Sequence, residues 1–341
     1  MTAVINFEYF ISPMLCQHVN LNDHVDSMRV LNEMILHGGI DVMAESSIMS
    51  KMIDENYYPC DKVLNNMFPK GAACVFSPQD VAKLINKIIS NIQEFNSEVS
   101  AYEFDWGDFI IEPPLNPISI KRGGDLSVFL KDLLVRSVLF NSESTIFYNQ
   151  AKNKSDKLDK FNLSGVVTEC FPSLPHGISN NLACSVHNIS DARDYFYRLD
   201  AKDLYSRANT NLALKCSLYC GCIEIIKRNS LDLELSWDAF KIGQDFLDSL
   251  IRNQAAYTQP YSSVVFETII YVLCRHPKNE VLPFRKSAKS QDQRTLGDLK
   301  AYRTHITDAH QALRLMFWVE PDKTIILANI GPKFEESISN P

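Results

Sequence analysis

Three runs of β-branched and aromatic residues close the chain, at 302–306, 313–319 and 324–334. Each is short and rich in Ile, Val, Thr, Phe or Trp, and Glu320, Pro321, Asp322 and Lys323 supply turn chemistry between the last two. The pattern predicts an antiparallel meander. Upstream, residues 3–11 read as a strand, 24–36 as an amphipathic helix stopped by Gly38 and Gly39, and 47–56 as a second helical stretch. Ser77, Pro78, Gln79 and Asp80 open a helix that places Val81, Leu84, Ile85, Ile88, Ile89 and Ile92 on one core-facing stripe. Residues 102–112 alternate like a strand closed by Pro113 and Pro114, and 126–139 read as a helix with Asp125 as its N-cap. Further strands are expected at 145–150 and 161–171, and a helical pattern fills 190–229.

The element order implies an α+β chain in three parts: a mixed α/β N-terminal domain (1–189), a helical connector (190–229) and a C-terminal domain (230–341). Composition supports the division. With 341 residues, 45% of them hydrophobic, the chain is long enough for two cores. Residues 1–225 carry 19 Lys+Arg against 27 Asp+Glu, whereas 226–341 carry 15 against 14. Neither half has the excess of cations of a general nucleic-acid binder, yet 275–305 holds eight Lys+Arg against three acids, so a local basic patch is expected. No run is long and apolar enough for a membrane span, and the N-terminus lacks a signal-peptide pattern. Nine Cys at irregular spacing fit reduced thiols in a cytoplasm.

Several constellations invite chemistry and have blander readings. Cys216, Cys220 and Cys222 lack zinc-knuckle spacing and read as buried helix thiols. Lys121, Arg122, Gly123, Gly124 and Asp125 precede a helix, but match neither a phosphate-binding loop nor a dinucleotide fingerprint, so a capped turn is expected. Asp105 and Asp108 beside Trp106 read as a strand-edge turn, and Asp308 with His310 as a polar loop tip.

The cations of the meander are the stronger signal. Side chains alternate across a strand, so Arg303 and His305 share one face, Arg314 shares a face with Met316 and Trp318, and Lys333 follows at the end of the third strand. Four basic groups on one surface suit a polyanion. The alternative, that they are solvated partners of Asp and Glu, stays open at this level.

From residue 231 to 334 the chain resembles the RelE/ParE superfamily of small bacterial toxins, in particular the RelE and YoeB type of messenger-RNA endonuclease. The residues that carry the resemblance are Leu231 to Leu235 as a first strand, 236–252 and 262–275 as two helices, Trp237-Asp238, Arg275-His276-Pro277, and the run from Arg314 to Val319 within the three-strand meander. It implies a βααβββ domain. It further implies a metal- and cofactor-independent ribonuclease, with Arg303, His305, Arg314 and Lys333 handling the scissile phosphate. Phe334 and Trp318 would stack on bases, and Arg285, Lys286 and Lys289 would hold the RNA backbone. His305 is the expected base, because an unperturbed imidazole titrates near neutrality. The implied partners are RNA, with or without the ribosome, and a protein antitoxin or defence-complex partner; the acidic N-terminal part would sense, recruit or inhibit. ParE-like relatives keep the fold as protein binders, so a non-catalytic interaction protein is the competing expectation.

Overall fold

The computed structural model describes residues 2–15, 21–67, 75–95, 102–149, 158–287, 290–307 and 312–341. The chain is mixed α/β and divides into two compact units: Met1–Ile35 with Ile40–Asp194, and Leu36–Gly39 with Tyr195–Pro341.

The first unit runs β1 (Thr2–Ile5), α1 (Phe7–Leu15), α2 (Leu21–His37), β2 (Val42–Ala44), α3 (Ile48–Asp54), α4 (Asp61–Met67), α5 (Pro78–Asn91), β3 (Gln93–Glu94), β4 (Glu103–Glu112), α6 (Ile120–Leu139), β5 (Ser144–Phe147), β6 (Lys160–Phe171) and β7 (Asn181–Ile189). Its sheet has the order β3-β2-β1-β5-β7-β6-β4. The strands from β3 to β7 in that order are parallel, and β6 and β4 add antiparallel to the edge. Leu126, Phe129, Leu130, Leu133 and Leu134 of α6 form the core with Ile146, Phe161, Leu163 and Val186 of the sheet.

The expected strand at 3–11 is half strand and half helix. The run from Phe7 to Met14 is buried on every side, and a short apolar run buried all round carries no period to tell the two apart. The switch is made by Asn6, whose side-chain oxygen accepts the Tyr9 backbone N–H at 3.1 Å, the capping bond of a helix start. The helix expected at 126–139 starts earlier, at Ile120, and its N-cap is Ser119 rather than Asp125; Ser119 Oγ accepts the Arg122 N–H at 3.0 Å. The basic glycine-bearing stretch is therefore the first turn of α6, with Arg122 turned into the core. The α5 helix opens on a capping box, Ser77 and Asp80 each accepting the other's backbone N–H.

Buried polar chemistry in this unit includes His24. Its Nε2 lies 2.5 Å from Ser12 Oγ, and its ring meets Tyr9 edge-on at 5.3 Å. Burial lowers its pKa to about 4, with Asp191 opposing and Arg193 assisting. The folded state therefore binds fewer protons than the unfolded one between about pH 4 and the ordinary histidine value of 6.5, so stability falls as pH drops through that window. In urea unfolding, His24→Gln should flatten the loss of stability between pH 7 and pH 5; an unchanged slope would place the sensitivity elsewhere.

The second unit contains α8 (Ala201–Arg207), α9 (Asn211–Arg228), a 3-10 turn at Trp237–Ala239, β8 (Phe240–Ile242), α10 (Phe246–Arg252), α11 (Ser262–Leu273), β9 (Val281–Pro283), β10 (Thr295–Leu296), β11 (Leu299–His305), β12 (Leu313–Val319) and β13 (Ile325–Pro332). The short α7 (Ala192–Phe196) spans the boundary between units. The second sheet has the order β10-β11-β12-β13-β8, with β9 also paired to β11. The predicted meander is present: β11, β12 and β13 pair antiparallel in succession, with an irregularity between Met316 and Phe317.

Two expectations for this part are corrected. The alternating stretch at 231–235 is no strand; β8 takes the place next to β13, parallel to it, and 236–252 is split into the 3-10 turn, β8 and α10. The helical connector expected at 190–229 is divided between the units after Asp194, and α8 and α9 belong to the second. In α9, Gly221 makes room for its neighbour: a Cβ there would lie 2.7 Å from Phe266 Cζ of α11. Cys216, Cys220 and Cys222 are buried on α9, and burial pushes the Cys220 and Cys222 thiols well above their ordinary pKa.

Candidate functional site

The strand register decides which side chains meet. In the β11–β12 pair, Ala301 faces Trp318, Arg303 faces Met316 and His305 faces Arg314, so these six share one face of the sheet. Gly331 of β13 lies directly opposite Arg314. Toward the β12–β13 turn the face is apolar: Ala301, Met316, Trp318, Ile326 and Ala328 pack with Phe284 and Ile338. Toward the other end the same face turns basic.

There a cavity of about 270 Å3 opens, lined by Phe284, Arg285, Ser287, Arg303, Arg314, Lys333, Phe334, Glu335 and Glu336. Three successive strands contribute to it: Arg303 from β11, Arg314 from β12 and Lys333 from just beyond β13. Among the described residues, no carboxylate lies within 4.0 Å of the charged nitrogens of Arg285, Arg303, Arg314 or Lys333. Arg314 is the most constrained. One of its terminal nitrogens donates to the Lys333 carbonyl at 2.7 Å, while Nε is buried with no partner among the described residues. Burial, and after it the positive charge of Arg303, lowers the pKa of the Arg314 guanidinium. Two like charges held together without a counter-ion disfavour each other, and a bound anion removes that repulsion.

The other sequence candidates fall out as follows. Phe334 is 85% exposed at the cavity rim. Trp318 is only 2% exposed in the apolar end of the face, and its Nε1–H donates to the Ser339 carbonyl at 2.8 Å; it anchors the tail and offers no ring for stacking. His305 stands across from Arg314 but outside the cavity wall, so the register that brings the arginines together leaves the expected base at the strand end. Lys286 is outside the wall too, with Asp292 at 3.7 Å. Lys289, Asp308 and His310 lie outside the described residues.

Sequence reasoning missed Glu335 and Glu336. They follow Lys333 and Phe334 directly, and a pair of acids beside the proposed cation was the available signal. The tail that carries them is fastened: Ser339 N–H donates to Asn329 Oδ1 at 3.0 Å, and Ile338 is buried in the apolar cluster. Further support comes from α10, where Ser249 Oγ accepts the Ile330 N–H at 3.0 Å and Asn253 donates to the Ile330 carbonyl at 3.2 Å.

The first unit holds a second polar cluster, buried and internally matched. Arg122 donates from Nε and one terminal nitrogen to Glu8, both at 2.8 Å, and from its two terminal nitrogens to Glu45 at 2.5 and 2.6 Å. Lys51 adds a bond to Glu45 at 2.8 Å, and the Phe7 N–H another at 3.1 Å. Burial raises both carboxyls and Arg122 opposes it; Glu45, with Lys51 as a second cation, ends below its ordinary pKa and Glu8 above. Among the described residues, no helix is long and apolar enough to cross a membrane.

Compared with protein-family models, curated proteins and solved structures, the chain finds no match.

Proposed function

We propose that the second unit is a metal-independent endoribonuclease of the RelE type that binds RNA phosphate in the cavity between β11, β12 and the tail after β13. One observation carries the reading: Arg303 of β11, Arg314 of β12 and Lys333 just after β13 line one cavity, with no carboxylate within 4.0 Å of their charged nitrogens among the described residues. Cations placed in a strand pair for stability would sit opposite acids, and these do not. Exposed Phe334 beside them suits a nucleobase, because aromatic stacking is tolerant of sequence.

In this reading a ribose 2′-oxygen attacks the adjacent phosphorus. The P–O5′ bond breaks, leaving a 2′,3′-cyclic phosphate on one fragment and a 5′-hydroxyl on the other. Arg303 and Arg314 stabilise the charge of the phosphorane, and the Lys333 ammonium delivers a proton to the departing 5′-oxygen. The first unit, with its excess of acids, serves as the regulatory part and governs when the nuclease acts in growth arrest or defence.

The test is induced expression of the full chain in bacteria, with mapping of RNA 5′ ends, beside the Arg314→Ala/Lys333→Ala double variant. Growth arrest with new 5′-hydroxyl ends in messenger RNA, both lost in the double variant, is the expected result. Arrest without new ends would replace the nuclease by a protein-binding toxin. If purified chain also leaves RNA intact, both free and on translating ribosomes, the nuclease reading falls.

A further inference from the structure

The cations account for charge stabilisation and leaving-group protonation, but not for removal of the 2′-hydroxyl proton. We infer that Glu335 is the general base of this site, an assignment that rests on the ribonuclease reading. Its position follows from Gly331. Directly opposed residues in an antiparallel pair point to the same face, so the missing side chain of Gly331 would project beside that of Arg314. That space is filled by Glu335: a Cβ on Gly331 would lie 2.7 Å from Glu335 Cγ, 2.9 Å from its Cβ and 3.3 Å from Oε2. The absence of a side chain at residue 331 is what lets a carboxylate lie over the basic face.

Its orientation is set as well. Oε1 accepts the Ser337 N–H at 2.9 Å and also the Ser337 hydroxyl. Oε2 has no hydrogen-bond partner, and the carboxylate no cation within 4.0 Å, among the described residues. A carboxylate clamped in an ion pair would be a poor proton acceptor; this one is half-buried, aimed by one oxygen and open at the other. Ser337 is itself fixed, since the next two residues are Ile338, buried in the apolar cluster, and Ser339, bonded to Asn329 and Trp318. The chain from Trp318 to Ser339 to Ser337 to Glu335 is thus a positioning device for one oxygen atom.

The step balances without a co-reactant. Oε2 takes the 2′-hydroxyl proton as the O2′–P bond forms, Lys333 gives a proton to O5′ as the P–O5′ bond breaks, and both groups return to their starting states by exchange with water. Glu336 has an exposed side chain in the same wall, but no hydrogen bond or ion pair among the described residues that would orient it.

The experiment uses full-length chain and an RNA oligonucleotide cleaved by the wild type, on ribosomes if these are required. Glu335→Gln keeps the size of the side chain and an acceptor for Ser337, and should lower kcat by about 10²-fold or more, the range of general base catalysis, with KM little changed. Binding of a probe carrying a 2′-deoxy sugar at the cleavage position should be unaltered. Gly331→Ala should lower kcat as well by displacing Glu335, with folding checked by circular dichroism. An oligonucleotide with a 5′-bridging sulfur needs no leaving-group acid, so it should not rescue Glu335→Gln. Rescue would move Glu335 to the leaving oxygen and overturn the base assignment, as would wild-type kcat in Glu335→Gln. Absence of cleavage by the wild type would instead remove the ribonuclease reading and the role of Glu335 with it.

Discussion

Arg122→Ala is expected to destabilise the first unit by about 3–5 kcal/mol, the cost typical of leaving a buried charge without its partner. That is a large part of the roughly 5–15 kcal/mol that holds a domain folded. The size follows from how completely the guanidinium is used. Both Glu8 and Glu45 receive two of its hydrogen bonds, its Cζ lies 5.0 Å from the Phe7 ring centroid, and both carboxylates are buried. Without it, Glu8 keeps the Asn6 amide, at 2.7 Å, but no cation among its hydrogen-bond partners within the described residues, and must take up a proton. Glu45 keeps Lys51 and suffers less. The triple variant Arg122→Met/Glu8→Leu/Glu45→Met removes all three charges together and should be milder than Arg122→Ala alone, because attraction and desolvation are lost at once. Urea unfolding of the full chain, followed by a probe in the first unit, measures both. A destabilisation under about 1 kcal/mol for Arg122→Ala would mean that water reaches the cluster in solution.

The same arginine marks where the sequence was hard to read. Lys121 to Asp125 carries the surface signs of a turn, with two cations and two glycines, and only the contact with Glu8 and Glu45, far away along the chain, turns Arg122 inward. Tertiary partners override local composition there. The segment from Phe7 to Met14 failed for a related reason, since complete burial erases the period that separates helix from strand. The meander was legible because one side of it is half core and half cationic. β12 and β13 are buried almost throughout and keep no strict alternation, but β-branched and aromatic runs between turn residues mark the strands, and Arg314 stands out against apolar neighbours. What these runs could not supply was the register between strands. It decides that Arg303 and Arg314 meet, that His305 stays outside the wall and that Trp318 is buried beneath the tail. For Glu335 the sequence offered only its place beside Lys333; that it lies over Gly331 is a contact made by the fold of the tail.

A tail of this kind gives the cavity two parts with different demands. The apolar end of the sheet face, closed by Trp318 and Ile338, supplies rigidity; the basic end supplies charge. Catalytic geometry built on strands and held by a packed support is more exact than one carried by free loops. Variants at Ile338 or Asn329 are therefore expected to affect the site without touching it.

The charge itself is tested by Arg314→Ala, which should lower RNA cleavage by about 10²-fold or more, the loss seen when one group that stabilises transition-state charge is removed. The fold should survive. Among the described residues Arg314 makes one hydrogen bond, to the Lys333 carbonyl, and its Nε has no partner; burial and then Arg303 disfavour its charge, so its removal relieves repulsion as well as breaking a contact. A melting temperature close to that of the wild type is the expected control. Arg314→Lys should restore little. The guanidinium donates to the Lys333 carbonyl with one terminal nitrogen and Arg314 also lines the cavity, and an ammonium group lacks the planar fork of donors that serves both at once. Loss of cleavage with folding intact, in both variants, would place the phosphate at the junction of β11, β12 and the tail. Cleavage at the wild-type rate in Arg314→Ala would remove the central cation from the mechanism and with it the reason to regard this cavity as a nuclease site.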